Sequence, residues 1–225
     1  MEVDVVEVDV VEVDVVEVVV IGGGAVGLNA ARMASGLGAD VTIMDRSLSR
    51  LKQIDELYSG HIKTLFSNTD TIENQLIVAD LVVGAVLIPG AAAPKLVTRD
   101  MLKLMKRGTV MVDVAIDQGG CFETSHATTH ENPTYQVDGI VHYCVANMPG
   151  GVARTATLAL TNATLPFVIE LANHGKEALL HDPNFLNGLN VHHGLVTNQG
   201  VCEALDYRFV DPETALHEGG MRHSA

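Results

Sequence analysis

The sequence predicts a doubly wound α/β domain, a parallel sheet covered on both faces by helices, followed by a helical piece of an incomplete second domain. Three observations carry this. From Val18 to about residue 146, short apolar runs alternate with longer amphipathic segments, the pattern of repeated β-α units. A glycine-rich turn separates the first run from the segment after it. Past Pro149 the strand-like runs stop and the chain reads mostly as helix.

Taken in order, VVVIG (18–22) is a buried strand, and residues 25–37 form a helix that packs closely through Ala30, Ala31 and Ala34. ADVTIMD (39–45) is the second strand, and Ser47 caps the helix after it. HIKTLF (61–66) is the third strand, and residues 69–79 are a helix opened by Thr69 or Asp70. DLVVGAVL (80–87) is the fourth, followed by Pro94 and a helix over 99–106 capped by Thr98. GTVMVDVAI (108–116) and IVHYCVA (140–146) are the fifth and sixth. Residues 153–183 are mostly helical with Pro166 as a break or kink, and a turn leads to a helix capped by Thr197. Residues 211–225 read as a polar, frayed tail. The expected divisions are a low-complexity segment (1–17), a nucleotide-binding domain (18–152), the helical piece (153–210) and the tail.

The composition supports a packed core and limits the partners. Of 225 residues 47% are hydrophobic, which excludes wholesale disorder. Fourteen bases against 28 acids give a net charge of −14, a poor match to nucleic acid or an anionic membrane. Seven of those acids (Glu2, Asp4, Glu7, Asp9, Glu12, Asp14, Glu17) fall within residues 2–17, so half of the net charge belongs to this short stretch. It is an EVDVV repeat whose acids change strand face with each copy, so neither strand nor helix phasing fits. It is not a signal peptide, being acidic at its start, and no stretch of 18 or more uncharged apolar residues predicts a membrane span. Three widely spaced cysteines (Cys121, Cys144, Cys202) predict reduced thiols and a cytoplasmic location.

The chemistry gathers on three segments. GGGAVG (22–27) fits G-x-G-x-x-G at Gly22, Gly24 and Gly27, between a strand and a helix. The first glycine allows the turn, the second admits a pyrophosphate and the third packs helix on strand. Ala25 and Val26 start the helix whose N-terminus faces the phosphates. Asp45, at the end of the second strand, would accept hydrogen bonds from ribose hydroxyls and repel a 2′-phosphate. This Rossmann-type context predicts NAD over NADP, tempered by the adjacent Arg46. Strands five and six deliver Asp117 and Asn147 to the carboxyl edge of the sheet, where the reactive end of such a ligand sits. Asp117 would there accept or relay a proton, and Asn147 would donate to the nicotinamide amide or to substrate. Each also fits a plain turn residue.

His126 and His130 lie four apart in SHATTH, but that stretch reads as loop and no third ligand follows, so no metal is expected. His192 and His193 read as a solvated turn. Cys121 and Cys144 read as buried small hydrophobes rather than nucleophiles.

Three phrases, GAVLIPGAAAPKLVT, GTVMVDVAIDQGGCFETSHATTHENPTY and HYCVANMPGGVARTATLALTNATLP, resemble the bacterial L-alanine dehydrogenases almost continuously from Val18 to about residue 205. Transhydrogenase subunits match the same phrases less well. The resemblance implies an oxidoreductase of L-alanine catabolism, a homohexamer that converts L-alanine and NAD reversibly to pyruvate and ammonia through iminopyruvate. It implies that Asp117 is catalytic and that Asp45, Arg50 and Ser67 hold the adenosine side, with Val86 and Leu87 lining the site. It places Val114, Ala115, Ile116, Asp117, Val145, Ala146, Asn147 and Met148 on the nicotinamide side. His174 matches a position where some members place a magnesium contact, its carboxylate partner lying in a segment not found here.

The same resemblance implies a long N-terminal segment that supplies an arginine, a lysine and an acid/base histidine to the substrate. The EVDVV repeat stands in its place, so the chain is expected to be an N-terminally truncated L-alanine dehydrogenase with an exposed apolar patch over 155–173. Two other readings stay open: an NAD-binding, oligomerising module without turnover, and a transhydrogenase-like hydride-transfer component.

Overall fold

The structure, a computed structural model, describes residues 15–86 and 93–218. The bulk of the EVDVV repeat, Leu87 and the last residues of the expected tail lie outside this set.

Seven strands form one sheet. They are β1 (Glu17–Ile21), β2 (Asp40–Asp45), β3 (Lys63–Phe66), β4 (Leu81–Gly84), β5 (Val110–Asp113), β6 (Thr134–Val137) and β7 (Ile140–Tyr143). Their spatial order is β3-β2-β1-β4-β5-β7-β6, parallel throughout except for the β6–β7 pair. The order runs outward from β1 in both directions, so the carboxyl ends of β1 and β4 meet at the reversal point, where such sheets bind ligands.

β1 shows why the sheet is covered twice. Val18 and Val20 join Val41, Ile43, Ile54 and Ile62 on one face, while Val19 and Ile21 join Met44, Leu76, Met111 and Phe122 on the other. Every second residue of an uninterrupted valine run thus feeds a different core, the signature of a strand buried on both sides.

The helices α1 (Ala25–Gly36), α2 (Leu48–Tyr58) and α3 (Thr69–Val78) make the crossovers. Ser47 caps α2 by accepting from the Arg50 amide. The cap of α3 is Asn68, not Thr69 or Asp70: Asn68 accepts from Thr71 N at 2.8 Å while Thr71 Oγ1 accepts from Asn68 N at 3.0 Å. That reciprocal pair satisfies two orphan amides where Thr69 alone would satisfy one.

The expected helix over 99–106 is instead a short 3₁₀ segment, Asp100–Leu104. Its run before Gly108 is too brief for a stable α-helix, and it serves to bury Met101, Leu102 and Met105.

The fourth to sixth strands are shorter than expected. β5 stops at Asp113 because that side chain accepts from the Ala115 amide and turns the chain into a 3₁₀ segment, Val114–Gln118. β6 was not expected. It pairs with β7 across an Asp138-Gly139 turn in which both residues have positive φ (53° and 87°), the geometry of a two-residue type I′ hairpin.

After a turn at Met148–Val152 comes α4 (Ala153–His174), 22 residues that continue through Pro166 with no residue buried. With that turn, Met148–His174 is long and apolar enough to cross a membrane by length and composition alone. Short elements follow: α5 (Glu177–His181), α6 (Pro183–Leu186), a hairpin of β8 (Val191–His192) and β9 (Leu195–Val196), α7 (Gln199–Leu205) and α8 (Pro212–Glu218).

Two expectations fail here. Thr197 does not cap α7, because its hydroxyl donates to Leu189 O at 2.6 Å; Asn198 accepts from Val201 N instead. The stretch from 211 is not frayed up to Glu218: Asp211 opens α8, which buries Ala215 and Leu216.

Candidate active site

The carboxyl edge of the sheet collects the expected residues. The turn after β1 begins at Gly22 (φ 111°), where an added Cβ would lie 2.5 Å from Ala85 O. An added Cβ on Gly27 would collide with the carbonyl of Gly22, whereas one on Gly24 would meet nothing within 4 Å. The three glycines therefore do three separate things: turn, open floor, and helix-to-strand contact. Gly24 is also the N-cap of α1, with no side chain capping the helix amides. Uncapped N–H groups above open space form a ready site for an anion.

Asp45 frames this floor. Its Oδ2 accepts from Gly23 N at 2.7 Å and its Oδ1 from Ser47 N at 2.8 Å. Arg50 stands behind the turn, with Nε donating to Gly23 O at 2.6 Å. A cavity of about 560 Å³ opens beside them, lined by Gly24, Val26, Asp45, Ser67, Val86, Pro94 and Leu96 among others. Its walls are mostly apolar with a few convergent polar groups, as small-molecule sites are. A cavity of similar volume, lined by residues between Gly194 and Thr214, lies away from the sheet edge and holds none of the expected residues.

Asp117 and Asn147 reach the same edge from β5 and β7 and touch each other: Asn147 N donates to Asp117 Oδ1 at 3.4 Å. Asn147 lies in the left-handed region (φ 54°). Its carbonyl is 3.0 Å from His130 Nε2. Asp117 and Asn147 are exposed, while Ala115, Ile116 and Val145 are buried beneath them. Val114 and Met148 are half-buried and Ala146 is exposed. None of these eight lines the cavity beside Asp45; they form the neighbouring stretch of the same edge.

Reading the sequence missed two supports. Lys95 Nζ donates to Gly119 O and Gly120 O at 2.5 and 2.8 Å, clipping the segment after Pro94 onto the loop that holds Asp117. Asp113 is fully buried and accepts from three backbone amides. The available signal was a carboxylate inside an apolar run, which must find donors if it is buried.

Around them lies a polar cluster. Tyr135 OH donates to Thr124 O at 2.9 Å and its ring stacks on His126 and His142, at 3.7 and 5.0 Å. His142 Nδ1 lies 3.1 Å from Ile140 O and Nε2 lies 2.8 Å from Thr124 Oγ1. A carbonyl only accepts, so Nδ1 carries the proton and Nε2 accepts from the hydroxyl. Burial lowers the His142 pKa from its ordinary 6.5. Burial likewise pushes the Cys121 and Cys144 thiols up, away from the thiolate a nucleophile needs. His174 lies 3.7 Å from Glu170, one turn earlier on α4. Among the described residues, no group of three or more His, Cys, Asp or Glu side chains could hold a metal ion.

Comparison with known proteins shows the family. The family described as "Alanine dehydrogenase/PNT, C-terminal domain" matches residues 4–199. The chain is 63% identical over 196 residues to the alanine dehydrogenase of Halomonas elongata, covering 87% of this chain and 53% of that protein. It is 56% identical to alanine dehydrogenase 2 of Staphylococcus aureus (strain MRSA252), with the same two coverages. A solved L-alanine dehydrogenase superposes with a TM-score of 0.77 at 48% identity, covering 85% of this chain and 53% of that one. A transhydrogenase from Sinorhizobium meliloti gives 0.66 at 28%, covering 83% and 51%. The chain thus spans about half the length of the curated relatives it matches. With its sheet order, its glycine turn and nearly all of its length accounted for, the chain belongs to the alanine dehydrogenase/PNT C-terminal domain family.

Proposed function

We propose that this chain is the NAD-binding and hydride-transfer half of an L-alanine dehydrogenase, with residues 18–152 as the cofactor domain and 153–210 as the returning part of the substrate domain. The observation that carries the reading is the uncapped N-terminus of α1, with open space above Gly24 and the Asp45 carboxylate at its side. The α1 amides hold the pyrophosphate, Asp45 accepts from the ribose, and Ser67 and Val86 line the adenosine side. Val114, Ala115, Ile116, Val145, Ala146, Asn147 and Met148 flank the nicotinamide. Asp117, exposed and bonded only loosely to Asn147, positions water and takes up a proton. When bound, NAD supplies the hydride acceptor. In balance, L-alanine, NAD⁺ and water give pyruvate, ammonium, NADH and a proton.

Higher identity to the alanine dehydrogenases than to the transhydrogenase favours alanine as the donor over a second nucleotide. Three buried free thiols fit a reducing, cytoplasmic setting. The wholly unburied α4 favours homo-oligomerisation, as the hexamer that the sequence resemblance implies, and also supports a second reading: a module that binds NAD but does not turn over alone.

Purified chain mixed with L-alanine and NAD should produce NADH absorbance, and NADH titration should change nucleotide fluorescence. Binding without turnover selects the second reading. Failure of both overturns the cofactor assignment.

A further inference from the structure

Asp113 ends β5 with a side chain that is completely buried. Its partners are three backbone amides, a hydroxyl and a thiol. Oδ1 accepts from Ala115 N at 3.1 Å and faces Cys121 Sγ at 3.5 Å. Oδ2 accepts from Cys121 N at 2.8 Å, Phe122 N at 3.2 Å and Ser125 Oγ at 2.5 Å. Ala115 lies at the start of the 114–120 loop, and Cys121, Phe122 and Ser125 lie just past its end, so one carboxylate ties the two ends of that loop together. The loop closes on itself as well, through Gly120 N to Ala115 O and Gly119 N to Ile116 O.

Gly120 shows how tightly the loop is fitted to the carboxylate. Its φ is +75°, and an added Cβ would lie 2.7 Å from Asp113 Oδ2 and 2.8 Å from Ser125 Cβ. Asp117, in the middle of the loop, is exposed, and among the described residues its side chain is held by the 3.4 Å bond from Asn147 N. Its place is set by the closure beneath it, not by its own partners.

We propose that Asp113 is a positioning residue: its buried carboxylate shapes the 114–120 loop into the seat for the nicotinamide half of the cofactor and for Asp117. The inference rests on the dinucleotide reading above. Exchanging an acceptor-only carboxylate for an amide turns one oxygen into a donor that faces N–H groups, a mismatch whose cost falls on the loop. The phosphate and ribose contacts, carried by the turn after β1 and by Asp45, are not among the partners of Asp113.

The test compares two probes on the full 225-residue chain. ADP-ribose lacks the nicotinamide, and NADH carries it. In Asp113→Asn, NADH affinity should fall roughly tenfold or more while ADP-ribose affinity stays within about twofold of the unaltered chain. Ser125→Ala removes a single donor and should shift the same ratio in the same direction by less. It gives the answer on its own if Asp113→Asn does not fold. Equal losses for both probes, or no loss for either, overturn the positioning role. If the unaltered chain binds neither probe, the dinucleotide reading falls and takes this inference with it.

Discussion

Gly27 is packed so closely on Gly22 that a Cβ at position 27 would overlap the Gly22 carbonyl oxygen. The first turn of α1 therefore rests directly on the end of β1. Gly24, two residues into the same turn, has empty space above it. The two glycines should separate stability from binding. Gly27→Ala should cost at least about 2 kcal/mol of stability, because backbone must shift to admit the methyl. Gly24→Ala has an ordinary φ of −69° and should cost no more than about 1 kcal/mol, yet it narrows the floor where the pyrophosphate sits. Thermal melts and NADH titrations of both variants check this. A Gly24→Ala chain that binds NADH normally would sink the assignment of the phosphate floor.

Asp45 holds the turn through Gly23 N and faces the cavity with the same carboxylate. Asp45→Asn keeps the size but weakens acceptance from ribose hydroxyls and from Gly23. NADH affinity should drop roughly tenfold, by the loss of one or two charge-assisted hydrogen bonds. NADPH should lose less, because the charge that repels its 2′-phosphate is gone. Parallel titrations with both nucleotides measure the ratio; an unchanged ratio argues against ribose recognition by Asp45.

Much of this site was readable because its logic is local. The valine run of β1, three glycines at fixed spacing and an acid closing β2 all lie within 28 residues, Val18 to Asp45. What escaped depended on distant partners. Asp113 takes donors eight, nine and twelve residues onward, a spacing with no periodic signature. Thr197 satisfies every local rule for a cap, but Leu189 O claims its hydroxyl and the role passes to Asn198. β6 is an edge strand of alternating exposure, and its one clear sequence signal is the Asp138-Gly139 turn.

The apolar surface of α4 makes a prediction about association. Leu158, Leu160, Val168 and Ile169 are each about half exposed or more, at 58%, 65%, 57% and 49%. Exposed apolar surface of this extent is a contact surface or an aggregation liability. The chain should elute from gel filtration above its 23.9 kDa mass and bind an apolar dye. Leu160→Lys with Val168→Lys should shift elution toward the monomer while the melting midpoint holds, since neither side chain supports the fold. A clean monomer without dye binding in the unaltered chain would show that α4 needs no partner.

His142 ties stability to pH. It is fully buried, packed on Tyr135 and hydrogen-bonded in the neutral form, and burial holds its pKa below 6.5. The unfolded chain therefore binds this proton more readily than the folded one, and protonation favours unfolding. The contribution of His142 is complete above about pH 6.5 and is lost as pH falls from there through the lowered folded value. Melting midpoints measured between pH 8 and pH 5 should decline toward the acid end. In His142→Gln the decline should be shallower over that window, even if the variant melts lower at pH 8 for want of an exact fit to Thr124. Identical slopes for the two proteins would mean that other groups carry the acid sensitivity.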